Sequence, residues 1–152
     1  MSADAYNSIA FYGEYEYGLD SKNRITIPSD WRSGDEGELF VRVHNSGSHI
    51  IVMAPVQLSR LLQSVKDCQS LPTVAERKEL IRDIASGARR CHADKQGRMV
   101  LPSEICEAAE LSGQVVFVGA EEEFQIWKPE RWAEAKRSKT ENQRRAINDL
   151  GI

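Results

Sequence analysis

Cysteine is scarce, and the three present, Cys68, Cys91 and Cys106, are unevenly spaced with no Cys-x-x-Cys pair, which excludes a disulfide framework. Reduced, mostly buried thiols are expected. Cys91-His92 is at best half of a zinc site, and no second ligand pair lies at suitable spacing, so neither a metal nor a cofactor is expected. Histidine is equally rare, at positions 44, 49 and 92. Without a Gly-rich phosphate loop or a Gly-x-Ser-x-Gly elbow, the chain offers no catalytic constellation. The acidic run Glu121-Glu122-Glu123 reads as a solvated hairpin turn rather than an acid/base pair. No apolar run approaches the roughly 18 residues of a membrane span. The opening Met1-Ser-Ala-Asp-Ala-Tyr-Asn has neither the basic nor the apolar region of a secretory signal, so a cytoplasmic location is expected. An excess of positive charge is missing too: 20 Lys and Arg stand against 23 Asp and Glu, a net charge of −3. Any nucleic-acid contact must therefore come from a local basic patch.

What the chain does contain is one unit twice. Asp20-Ser-Lys-Asn-Arg24-Ile-Thr-Ile-Pro28-Ser29 lines up with Asp94-Lys-Gln-Gly-Arg98-Met-Val-Leu-Pro102-Ser103 at an offset of 74. Ile51-Val-Met-Ala-Pro55 meets Gln125-Ile-Trp-Lys-Pro129 at the same offset, which makes coincidence a poor explanation. The expected organisation is a flexible lead over 1–12, repeats over 13–58 and 88–132, a helical linker over 59–87 and a charged tail over 133–152 that frays toward its end.

Each repeat reads as strand, tight turn, strand, short helix, then two hairpin strands. Glu14-Tyr-Glu-Tyr17 alternates, and Arg24-Ile-Thr-Ile27 suits a second strand ended by Pro28. Gly97 can take the positive φ that the Asp-x-x-x-Arg turn demands; Asn23, the next most tolerant residue, holds the equivalent place. Pro28 and Pro102 open short helices that send Trp31 and Ile105 to the core. Leu39–Val43 pairs with Ile50–Met53 through Ser46-Gly47-Ser48, and Val115–Val118 pairs with Phe124–Trp127. In the linker, Leu58, Leu61, Leu62 and Val65 form one helical stripe, and Thr73-x-x-Glu76 caps a second helix. Units of this size cannot bury a core alone, so the two copies should intertwine. The expected fold is α+β, mainly β: a pseudo-twofold barrel with linker helices.

The candidate site is the pair of Asp-x-x-x-Arg turns. Asp20 and Asp94 would hold Arg24 and Arg98 across each turn, with Gly97 supporting the second. The planar fork of Arg can bind two phosphate oxygens or the O6/N7 edge of guanine. Lys22 and Lys95 add charge, Asn23 and Gln96 add amides that can bond adenine or the DNA backbone, and Arg89 and Arg90 precede the second turn. An oligomeric protein-interaction scaffold that binds no DNA is the rival reading, because the same barrel could assemble through its apolar linker helices.

Gly18-Leu-Asp20-Ser-Lys-Asn-Arg24-Ile-Thr-Ile-Pro28, the linker Ala75-Glu-Arg-Lys78, and Asp94-Lys-Gln-Gly-Arg98-Met-Val-Leu-Pro102 followed by Phe124-Gln-Ile-Trp127 together resemble the MraZ family over residues 11–132. That resemblance implies a swapped-hairpin, AbrB-like fold and a ring-shaped homo-oligomer. It also implies a nucleoid-associated regulator, expected to repress the division and cell-wall gene cluster through direct repeats in double-stranded DNA upstream of its own operon. Arg24 and Arg98 would face that DNA. Asn23 stands where the family usually has glycine.

Overall fold

The computed structural model describes residues 4–152. In chain order it contains β1 (Glu14–Leu19), β2 (Arg24–Thr26), a single 3-10 turn (Ser29–Trp31), β3 (Gly37–Val43), β4 (His49–Met53), α1 (Pro55–Lys66) and α2 (Val74–Gly87). There follow β5 (Arg89–Ala93), β6 (Arg98–Val100), α3 (Ser103–Ala108), β7 (Gly113–Gly119), β8 (Glu123–Trp127), α4 (Pro129–Arg137) and α5 (Glu141–Leu150).

Six strands form one antiparallel sheet in the order β1-β7-β8-β4-β3-β5, and β2 pairs separately with β6. The repeats exchange their first strands. Glu14 of β1 lies opposite Val118 of β7, and Ala93 of β5 opposite Gly37 of β3. Read from either edge, the order presents equivalent strands, so a pseudo-twofold axis passes between the central pair β8 and β4, where Ile51 faces Gln125.

The sheet does not close into the expected barrel, and β1 and β5 remain its edges. Each edge strand runs into a tight turn that leads the chain out of the sheet. Pro28 and Pro102, lacking the N–H a ladder needs, follow just after strands of three residues. These short strands pair with each other as a separate ribbon instead of bridging the two edges.

The main core lies between the sheet and this ribbon. Ile25 and Met99 face inward beside Ile27, Leu101, Trp31 and Ile105, all buried. On the sheet's other face, α1 and α2 cover Ile51 and Met53 with Leu58, Val65 and Ile84. Trp132 of α4 packs against Val116, Val118 and Trp127. Burial of side chains this large contributes about 1.5–3 kcal/mol each.

Both ends of the chain depart from expectation. Within the presumed lead, Tyr6 and Phe11 are buried in the main core, and Phe11 exchanges backbone hydrogen bonds with Glu121. Residues 1–3 lie outside the described region. The tail forms two helices: α5 starts at a full capping box between Thr140 and Gln143 and stops at Gly151 in the left-handed region.

Candidate functional site

Each Asp-x-x-x-Arg segment folds around its aspartate. Asp20 Oδ1 accepts from the backbone N–H groups of Lys22 and Arg24, both at 3.0 Å, while Oδ2 accepts from Arg24 Nε at 2.7 Å. Asp94 repeats this, with Gln96 N at 3.0 Å, Arg98 N at 2.9 Å and Arg98 Nε at 2.7 Å. The turn closes through the fourth residue, whose N–H donates to the Asp carbonyl; Asn23 adopts φ 58° there and Gly97 φ 79°. Backbone N–H donation from Arg24 and Arg98, reinforced by their side chains, holds both aspartate carboxyls below their usual range. Because Nε is the bonded atom, the outer edge of each guanidinium points away from its aspartate. The arginine side chains remain 61% and 67% exposed.

The ribbon carries both arginines on one face. Arg24 lies opposite Val100 and Thr26 opposite Arg98, so all four side chains share the outer face while Ile25 and Met99 take the inner one. The backbones of Arg24 and Arg98 are diagonal neighbours, their Cα atoms roughly 7–8 Å apart by strand geometry. A shallow depression of about 490 Å³ is lined by Asp20, Arg24, Asp94 and Arg98 together with Tyr17 and His92. The two turns sit at opposite ends of the ribbon, where Ile27 N–H bonds the Gly97 carbonyl and Leu101 N–H the Asn23 carbonyl.

Lys22 and Lys95 are exposed, and among the described residues neither enters an ion pair. Asn23 is engaged: its amide donates to Ser103 Oγ at 3.3 Å, tying the first turn to α3 of the other repeat. Gln96 Oε1 accepts from Arg98 Nη2 at 3.4 Å and so braces that fork. Arg89 and Arg90 are occupied by Glu104 at 2.5 Å and Glu38 at 3.7 Å. Sequence reasoning missed Arg32, which donates to the Ile27 carbonyl at 2.6 Å and packs against the second turn, so that a Cβ at Gly97 would come within 2.9 Å of it. No local signal announces that contact, because Arg32 belongs to the other repeat.

Elsewhere, the buried thiols of Cys91 and Cys106 are pushed up to about 11 by burial, so neither is a thiolate at neutral pH.

The sequence carrying this geometry is 35% identical to "Transcriptional regulator MraZ" of Halothermothrix orenii over 146 residues, covering 93% of this chain and 99% of that protein. The protein of the same name from Clostridium tetani is 32% identical, with 93% and 99% covered. That from Heliobacterium modesticaldum is 36% identical over 124 residues, with 81% and 84% covered. The chain belongs to the MraZ family. A family model described as "MraZ protein, putative antitoxin-like" matches residues 84–149, and thus only the second of the two turns. For a MraZ-family chain the Halothermothrix match is the more informative, because its coverage takes in both.

Proposed function

We propose that this chain is a DNA-binding transcriptional regulator whose β2–β6 ribbon and flanking turns meet double-stranded DNA. The observation that carries the reading is the duplicated fork: Arg24 and Arg98, each held at Nε by an aspartate 2.7 Å away, present their outer edges on one exposed face. A two-stranded ribbon fits the major groove, and a pre-oriented guanidinium can bond guanine O6 and N7 with little rotamer freedom left to lose. Lys22 and Lys95 then neutralise phosphates, while Asn23 and Gln96 act chiefly by holding the turns. The names carried by the Halothermothrix, Clostridium and Heliobacterium relatives support the same reading.

In its finer form, the exchange of first strands is the swapped-hairpin, AbrB-like arrangement. The regulator assembles as a homo-oligomeric ring associated with the nucleoid and binds direct repeats upstream of its own operon. It represses the division and cell-wall cluster. A ring answers the net charge of −3, since adjacent protomers repeat a small basic patch and multivalent contact multiplies weak sites.

The test is a fluorescence-anisotropy titration of wild type, Arg24→Ala and Arg98→Ala against that upstream DNA at two salt concentrations. Binding is expected to weaken steeply with salt, by about 0.9 in log–log slope per phosphate neutralised. Either substitution should abolish it in a folded, assembled protein. Wild type that ignores this DNA, or variants that bind it normally, would turn the assignment toward an interaction scaffold.

A further inference from the structure

We propose that Val100, assisted by Thr26, reads the 5-methyl group of a thymine next to a base bonded by the arginine forks. The proposal rests on the DNA-binding reading above and adds to it the class of base recognised there.

Val100 is 58% exposed, one of few large apolar side chains left in solvent among the described residues. Its strand has only three residues, and burying Met99 beside it turns Val100 outward. Across the ribbon it faces Arg24, and along β6 it is two residues from Arg98, so it borders both arginines on the outer face. The pseudo-twofold axis of the ribbon places Thr26 at the equivalent position, opposite Arg98 and less exposed. Its strand neighbours on this face are charged or polar: Arg24, Arg98 and Thr26. A valine here gives the inner core nothing, while it offers an apolar, rotamer-restricted surface beside the arginines.

In the major groove only thymine carries an apolar group, its 5-methyl, and contact with apolar side chains is how that methyl is distinguished. Arginine reads guanine hydrogen-bond acceptors. The outer face thus combines two donors for guanine with two methyl-bearing side chains for thymine, and it should favour sites in which a guanine bonded by Arg24 neighbours a thymine covered by Val100.

The experiment replaces the thymines of the upstream duplex with deoxyuracil one position at a time, which removes the methyl and preserves the base-pairing edge. Wild type should bind about fourfold more weakly at one or two positions, the factor expected for one apolar group returned to water. Val100→Ala should lose a similar factor on the parent duplex and show no further loss at those positions. Wild type indifferent to every replacement would overturn the proposal even if Val100→Ala could not be prepared folded. So would a Val100→Ala protein that keeps the deoxyuracil penalty. Failure of wild type to bind the parent duplex would instead remove the DNA reading itself, and this proposal with it.

Discussion

The ring of Phe11 meets the ring of Trp31 edge-on, with centroids 5.6 Å apart and planes at 86°. Phe124 stands 5.2 Å from Phe11 and 5.0 Å from Trp31, and the indole N–H donates to the Tyr12 carbonyl at 2.9 Å. The segment before β1 is therefore part of the core. Phe11→Ala is expected to destabilise the protein by about 3–5 kcal/mol, the range for a deleted buried aromatic. Urea unfolding checks this, and a midpoint unchanged from wild type would return residues 4–12 to the status of a free lead.

Gly97 and Asn23 occupy equivalent turn positions with φ 79° and 58°, yet their substitutions should differ. Gly97→Ala is expected to cost at least about 1–2 kcal/mol from the left-handed backbone alone, and Arg32 must also shift. Asn23→Gly relieves the backbone while losing the bond to Ser103, so a net change below about 1 kcal/mol is expected. Thermal melts of the two variants side by side decide the matter; equal destabilisation would mean that the turns are not alike.

His49 gives stability a pH dependence. Its ring is stacked between His44 at 4.6 Å and Trp127 at 4.1 Å, and burial, followed by repulsion from His44 and Arg42, lowers its pKa to about 4. The unfolded histidine takes a proton near its ordinary 6.5, whereas the folded one resists until about 4. Stability is thus complete above the unfolded value and falls as pH drops from 6.5 toward 4. The depressed carboxyls of Asp20 and Asp94 act lower, at and below the ordinary 3.8. Melting temperatures between pH 7.5 and 4.5 should therefore decline for wild type and stay flatter for His49→Phe. Parallel curves would refute the assignment.

No residue of α5 is fully buried, and Leu150 is 71% exposed. Deleting residues 139–152 should leave the melting midpoint within roughly 4 °C of wild type, equivalent to about 1 kcal/mol. A larger loss would show that α5 packs in solution against something beyond its own chain.

Most strands, both turns and the linker helices could be read from the chain because each depends on neighbours in sequence. Alternation marks β1, Pro28 and Pro102 end the ribbon strands, and the residue types at Asn23 and Gly97 announce positive φ. The exchange of first strands could not be read this way, since a repeat offset of 74 is the same whether β1 pairs within its own unit or with the other. Open edges in place of a barrel depend on where the ribbon goes, which no local pattern states. The site behaved likewise. Asp20, Arg24, Asp94 and Arg98 were recognisable from spacing, whereas the engagement of Arg89 by Glu104 and of Asn23 by Ser103 depends on distant partners. The burial of Tyr6 and Phe11 is illegible for a related reason, because a short apolar signal amid polar residues does not disclose the distant core that it joins.

The strand exchange also governs how the chain can be made. β1 finds no sheet partner until β7 has been synthesised, roughly a hundred residues later. Contacts this distant in sequence slow folding, and the nascent chain meanwhile carries unpaired strand edges past the ribosome exit. Splitting the gene between the repeats would therefore yield two insoluble pieces rather than two working halves, and solubility should return only when both pieces are synthesised together in one cell.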